Sequence, residues 1–99
     1  MAKYFNITSA LTQELVAPGE GQTISSIALT NIQGTNECDV DLYIKKSLSG
    51  EFYILKDVTL PVGVTLTHNF TFNNKADEFG LYIQVTPSTG TPSLDVILN

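Results

Sequence analysis

The sequence predicts an all-β protein: a single antiparallel β-sandwich or jelly roll of about seven to eight strands. Short runs alternate between apolar and polar residues with a period of two, which is typical of half-buried strands. Clusters rich in Pro, Gly, Ser and Asn separate these runs, and no long helical period interrupts them, so a parallel α/β sheet is not expected. A chain of 99 residues is the size of one domain. We therefore predict that residues 1–99 form one domain.

The first sixteen residues leave two interpretations open. Tyr4, Phe5 and Ile7 favour an edge strand, and Gln13–Val16 favours a second short strand. Alternatively, residues 1–16 form an N-terminal arm that reaches a neighbouring subunit.

A short helix is a further alternative in this region. Ser9 would cap it, and Leu11 and Leu15 lie four residues apart. A helix of this length has little stability of its own, so the strand interpretation is preferred. Residues 17–21 (Ala-Pro-Gly-Glu-Gly) form a turn, because Pro fixes φ and Gly permits positive φ.

Two strands are predicted in the first half of the chain, at residues 23–32 and 37–46. The first carries apolar residues on both faces, which indicates a central strand or one that touches a neighbouring subunit. Strict alternation predicts one face with Ile24, Ala28 and Ile32, and the opposite face with Ser25, Ile27, Leu29 and Asn31. The second strand directs Cys38, Val40, Leu42 and Ile44 inward, and Asp39, Asp41, Tyr43 and Lys45 outward.

Residues 52–72 predict a hairpin at the middle of the domain. The strand 52–60 is aromatic and aliphatic, and Pro61 and Gly63 mark a tight turn. The second strand alternates cleanly. Its inward residues are Val64, Leu66, His68, Phe70 and Phe72, and its outward residues are Thr65, Thr67, Asn69 and Thr71.

The last two strands are predicted at residues 81–86 and 94–98. Leu81, Ile83 and Val85 face inward in the first, and alternate residues of the second do the same. The polar segment 73–78 precedes them, and the loop 87–92, which begins and ends with Pro, separates them.

The charge balance argues against two classes of partner. The chain has ten acidic residues and five lysines, no arginine, and a formal net charge of −5. Nucleic-acid and anionic-membrane surfaces call for a basic patch, so we expect neither partner. The N-terminus lacks an export signal, and the lone Cys38 makes no internal disulfide. We expect folding in a reducing cytosol, with Cys38 as a buried and inert thiol.

No set of residues predicts catalysis. His68 is the only histidine and has no nucleophile or carboxylate at a recognisable spacing. Asp39 and Asp41 share a strand face but lack the loop pattern of a calcium site. We predict a protein that is not an enzyme and has no cofactor and no metal.

The outward residues predict a protein that acts through its surfaces. The Thr-rich row is neutral and β-branched, and it suits contact between subunits better than contact with solvent. The predicted subunit-contact surface comprises Tyr4, Phe5, Thr65, Thr67, Asn69, Thr71, Tyr43 and Tyr82.

Four segments resemble small virion structural proteins of tailed bacteriophages. Residues 52–66 match a strand with Lys-Asp-Val followed by Leu-Pro-X-Gly-X-Thr-Leu, and residues 27–31 and 40–44 match the strands upstream. Residues 81–85 match the penultimate strand, so the resemblance covers roughly residues 23–98. The sequence departs from the pattern in having no arginine and in its first sixteen residues.

The resemblance implies a non-enzymatic β-sandwich of the virion, assembled in the host cytoplasm. A capsid decoration or cement protein is the leading expectation, with the major capsid protein or other virion proteins as partners. A homo-oligomer is expected, and a trimer is one form it could take. The alternatives are a neck, tail or fibre component, or a carbohydrate- or receptor-binding module in which Tyr43, Tyr53 or Tyr82 stacks on sugar rings.

Overall fold

The alternating segments form eight strands, which pack as two four-stranded antiparallel sheets. This computed structural model describes residues 2–99 and confirms the predicted all-β sandwich. The strands are β1 (Lys3–Ile7), β2 (Gln13–Val16), β3 (Thr23–Asn31), β4 (Cys38–Lys45), β5 (Phe52–Leu60), β6 (Thr65–Asn73), β7 (Gly80–Pro87) and β8 (Leu94–Leu98).

The first sheet has the strand order β1-β8-β3-β6, and the second has β2-β7-β4-β5. Alternate residues of every central strand point between the sheets, as the period of two predicts. The buried core therefore takes side chains from both inner faces. Its largest fully buried members include Leu15, Ile24, Ile27, Leu29, Leu42, Leu81, Ile83, Leu94 and Leu98.

The predicted hairpin over residues 52–72 is wrong. Its two strands do not pair: β5 is the outer strand of the second sheet, and β6 is the outer strand of the first. The turn between them crosses from one sheet to the other, with Gly63 at a φ of 77°. It is held by β3, because Gly63 N donates to the Asn31 carbonyl at 2.8 Å and Asn31 N donates to the Val64 carbonyl at 3.1 Å. The sequence pattern of two alternating segments joined by a turn with Pro and Gly is the same for a hairpin and for a turn that crosses between sheets.

Strand β3 is central, as predicted, but its facing was predicted incorrectly. The amides of Ser25 and Ser26 both donate to the Asn99 carbonyl, at 2.6 and 3.1 Å. This bulge shifts the register, so Ile24 is buried on the same face as Ile27. A bulge adds one residue to one strand and reverses the alternation beyond it.

The N-terminal segment forms two outer strands. Strand β1 pairs with β8, and β2 pairs with β7, so the helical alternative over residues 9–15 is wrong. Lys3 Nζ joins the two strands, because it donates to the Leu15 carbonyl at 3.3 Å and forms an ion pair with Glu20. That pair and the Ala17 amide lower the pKa of Glu20.

Strands β4 and β7 have the predicted facing. Val40, Leu42, Ile83 and Val85 are fully buried. Cys38 is also buried, as predicted, and burial raises the pKa of its thiol, with smaller contributions from Asp39 and Glu37.

Two buried asparagines fix the ends of the sandwich. Asn31 Nδ2 donates to the Leu60 and Asn36 carbonyls, both at 3.0 Å. At the other end, Asn74 Nδ2 donates to the carbonyls of Ala17 and Phe79, both at 2.9 Å. Each side chain satisfies backbone groups that would otherwise be buried without partners.

Candidate binding surfaces

The side chains on the outer face of the first sheet are mostly small and neutral, and they align in rows across the strands. Strand register places Tyr4, Ile97, Ala28 and Thr67 in one line across all four strands. The neighbouring line is Asn6, Asp95, Thr30 and Thr65. We call this surface the neutral face; its members are Tyr4, Asn6, Ser26, Ala28, Thr30, Thr65, Thr67, Asn69, Thr71, Asp95 and Ile97.

Two pairs of polar side chains on the neutral face bond to each other. Asp95, the one charged member of the face as defined, accepts a hydrogen bond from Asn6 Nδ2 at 2.6 Å. The hydroxyls of Thr30 and Thr65 lie 2.8 Å apart and share a hydrogen bond. Tyr4 and Ile97 remain exposed, at 73% and 38%. Covering this face would therefore desolvate few charges and would bury apolar area.

The outer face of the second sheet differs, because three tyrosines cross it in a row. Register aligns Tyr82 on β7, Tyr43 on β4 and Tyr53 on β5. The centroids of Tyr43 and Tyr82 lie 5.7 Å apart with ring planes 24° from parallel, and those of Tyr43 and Tyr53 lie 5.4 Å apart. We call this set the tyrosine row.

Gly80 determines how Tyr82 lies on the sheet. A Cβ at Gly80 would come within 2.8 Å of Tyr82 Oη, 3.0 Å of its Cε2 and 3.0 Å of Pro18 Cδ. The ring of Tyr82 therefore covers the space that a side chain at residue 80 would fill. Aromatic rings cover strand glycines in this way in other sheets.

A groove of about 380 Å³ opens over this part of the sheet. Tyr43 and Tyr82 contribute to its lining, together with Thr12 and Pro18. Lys45, Lys46 and Ser47 line it as well. We call it the tyrosine groove. It combines aromatic, hydroxyl and cationic groups in one concave site.

The two lysines that line the groove have different partners. Lys45 Nζ lies 3.8 Å from a Glu51 carboxylate oxygen, and Lys46 Nζ lies 5.2 Å from the centre of the Phe79 ring. Burial raises the pKa of Tyr82, and the neighbouring Glu14 carboxylate raises it further. The Tyr82 phenol therefore keeps its proton, with the neighbouring Glu14 carboxylate as its hydrogen-bond acceptor.

The predicted contact residues do not form one continuous surface. Tyr4 and the Thr-rich row of β6 lie on the neutral face, whereas Tyr43 and Tyr82 lie on the opposite side of the sandwich. Phe5 belongs to neither, because it packs against the core.

The residues considered for catalysis have structural partners. Asp41 Oδ1 accepts the Asp57 amide at 2.7 Å, and Asp39 Oδ1 accepts the Thr59 hydroxyl at 2.7 Å. The His68 ring stacks on Phe70, with centroids 6.2 Å apart. Within residues 2–99, no cluster of three or more His, Cys, Asp or Glu side chains is placed to hold a metal ion. Nor does this part of the chain contain a helix of the length and hydropathy needed to cross a bilayer.

Comparison with known proteins finds structural likeness only. No protein family and no curated protein matches the sequence. The Yersinia pseudotuberculosis-derived mitogen is similar in structure, with a TM-score of 0.55 and 10% identity over all of this chain and 83% of that one. The likeness shows the fold.

Chains from particles of infectious bursal disease virus give weaker likenesses. The chain of the T13 particle matches with a TM-score of 0.41 and 11% identity over 98% of this chain. VP2 of the subviral particle matches with a TM-score of 0.38 and 14% identity, also over 98%. This chain spans 30% and 32% of those two chains.

Sequence reasoning missed the tyrosine groove as a site. It named Tyr43, Tyr53 and Tyr82 as candidates for stacking on sugar rings, but their alignment in one row beside a groove depends on which strands pair. The signal that was present is the Gly-X-Tyr spacing of Gly80 and Tyr82, because residues two apart on a strand share a face.

Proposed function

We propose that this chain is a non-enzymatic structural protein of a virion. Its leading role is that of a capsid decoration or cement protein, which binds the major capsid protein as a homo-oligomer. The neutral face is the observation that carries this proposal. A four-stranded face with one charged side chain costs little to desolvate, and it presents the unpaired edge of β6 beside it.

The neutral face is the contact between copies of the chain. Small side chains such as Ala28 and Thr67 let a second sheet approach closely, and Tyr4 and Ile97 supply apolar area. Packing of this sheet face on its own copy generates a closed dimer, whereas a trimer forms if two different parts of the face meet around a threefold axis.

A second exposed patch suits attachment to the particle. Ile32, Val62 and Val64 lie at the corner where β3 meets the turn between the sheets, and they are 51%, 43% and 42% exposed. We call this patch the apolar corner. Weak contacts of this kind add up over the many copies on a capsid lattice. The same two surfaces would serve a neck, tail or fibre component, so the particle used for binding distinguishes these roles.

The oligomeric state tests the role of the neutral face. Size-exclusion chromatography with light scattering should give a dimer or trimer for the natural chain. Thr67→Lys, which places a charge at the centre of the face, should give a monomer. Thr86→Lys on the outer face of the second sheet is the matched control and should remain oligomeric.

Co-sedimentation with particles tests the attachment. Capsids of the virus whose genome encodes the chain should retain it, and Val64→Asp in the apolar corner should reduce the bound fraction at least about tenfold. A natural chain that is strictly monomeric and does not sediment with capsids or tails would overturn the proposal.

A further inference from the structure

The tyrosine groove lies on the side of the sandwich opposite the neutral face, and the proposed function leaves it unused. Its volume is about 380 Å³, against about 90 Å³ for a cavity beside Cys38. Small-molecule sites fall between about 300 and 1,000 Å³, so the groove suits a small ligand.

The aromatic floor selects the shape of that ligand. Tyr43 and Tyr82 have ring planes within 24° of each other, and Tyr82 lies over Gly80. Ring faces carry a negative quadrupole and bind flat groups with a slightly positive face. The C–H face of a pyranose sugar has both properties, and its equatorial hydroxyls then point toward the groove walls.

The cations select the charge of the ligand. The chain has five lysines and a net charge of −5, yet Lys45 and Lys46 both line this groove. Lys45 Nζ lies 3.8 Å from a Glu51 carboxylate oxygen, which is longer than a normal charge-assisted hydrogen bond, so the ammonium can donate to a better-placed carboxylate of a ligand. Lys46 lies over the Phe79 ring, and within residues 2–99 no carboxylate oxygen lies within 4 Å of its Nζ.

The hydroxyl groups that line the groove favour an acidic saccharide over anions with few hydroxyl groups. Thr12, just before β2, and Ser47, directly after Lys46, both line the groove and carry hydroxyl groups. A nucleotide would also stack on the aromatic floor, so adenosine monophosphate is the competing anion in the test below. An acidic peptide without an aromatic or proline residue would have no flat apolar group for the rings.

We propose that the tyrosine groove binds an acidic saccharide, with a pyranose ring stacked on Tyr43 and Tyr82 and its carboxylate paired with Lys45 and Lys46. Uronic acids and sialic acids share this chemistry. The inference stands apart from the proposed virion role, because it rests on a different face.

Titration of the labelled protein, followed by amide chemical shifts in NMR, tests the proposal. The probes are trigalacturonate and sialyllactose, with galactotriose and lactose as their neutral counterparts and adenosine monophosphate as a non-saccharide anion. At least one acidic saccharide should shift the amides of residues 43–47 and 80–82, and should bind about tenfold or more tightly than its neutral counterpart. Which of the two binds identifies the source of the carboxylate.

Variants separate the two halves of the site. Lys46→Gln should lower the affinity for the acidic saccharide toward that for its neutral counterpart. Tyr43→Ser should abolish saccharide binding. Lys75→Gln removes a lysine from the distant 73–78 turn and should change nothing. Unfolding curves verify that each variant is folded, and the tests of oligomeric state are unaffected by any of these results.

Three results would overturn the proposal. One is equal affinity for acidic and neutral saccharides. Another is tighter binding of adenosine monophosphate than of every saccharide. The last is the absence of any shift at millimolar saccharide.

Discussion

Asn31 Nδ2 donates a hydrogen bond of 3.0 Å to the carbonyl of Leu60, so the end of β3 in one sheet is tied to the end of β5 in the other. Asn31 is only 1% exposed. Its Oδ1 also accepts the Gln33 amide at 3.0 Å. The corner between the sheets is therefore built around one buried amide side chain.

Replacing that amide should destabilise the whole domain. Asn31→Ala leaves the Leu60 carbonyl and the Gln33 amide without these partners, which should lower the free energy of unfolding by about 2–3 kcal/mol. Urea unfolding measures the loss. Thr86→Ala on the exposed outer face of β7 is the control, with an expected change below about 0.5 kcal/mol. Equal losses in the two variants would contradict this role of Asn31.

Gly80→Ala should disturb the tyrosine groove more than the fold. The new Cβ would meet Tyr82 Oη at 2.8 Å and Pro18 Cδ at 3.0 Å, so the Tyr82 ring must move off the sheet. We expect a loss of about 1 kcal/mol in the free energy of unfolding, and changed NMR shifts for Tyr82 and Tyr43. Gly34→Ala, whose Cβ would have no atom within 4 Å, is the matched control. An unchanged Tyr82 resonance in Gly80→Ala would be inconsistent with this packing.

The ion pair between Lys3 and Glu20 should make stability depend on pH. The Glu20 carboxylate accepts hydrogen bonds from Lys3 and from the Ala17 amide. These bonds lower the pKa of Glu20 below 4.5 in the folded state. The pair therefore stabilises the fold above the unfolded pKa, and this contribution is lost as pH falls through the folded pKa. Both side chains are about one-third exposed or less, so we expect a contribution of about 0.5–1 kcal/mol.

Comparison of Lys3→Met with the natural chain isolates that contribution. The variant should be less stable at pH 7, and the difference should shrink toward zero as the pH is lowered below 4. Lys75→Met on the 73–78 turn is the control for the loss of one positive charge. A stability difference that grows on acidification would refute this assignment.

Leu48→Gly should stabilise the protein. Leu48 lies in the turn after β4 with a φ of 68°, a left-handed conformation that costs a residue with a Cβ about 1–2 kcal/mol. Its side chain is fully exposed, so its removal forfeits no packing. After the entropy cost of glycine, we expect a net gain of about 0.5–1 kcal/mol. Leu11→Gly, at an exposed residue without positive φ, should not stabilise; calorimetric melting of both variants provides the measurement.

Much of the fold could be predicted from the sequence because burial and strand period are local properties. The facing of residues 38–44 and 81–85 follows from alternation alone, and the turn at residues 17–21 follows from its Pro and Gly residues. The incorrect hairpin over residues 52–72 and the incorrect facing of β3 have one cause. The bulge at Ser25 and the crossing at residues 61–64 are set by partners distant in sequence, Asn99 and Asn31.

The sequence by itself determined an acidic all-β domain with a Thr-rich row on one strand face, since these properties depend only on composition and period. The tertiary structure decided which strands are neighbours. Strand pairing brings together residues far apart in the chain, so it alone aligned Tyr82, Tyr43 and Tyr53 on one side of the sandwich and Tyr4, Ile97, Ala28 and Thr67 on the other.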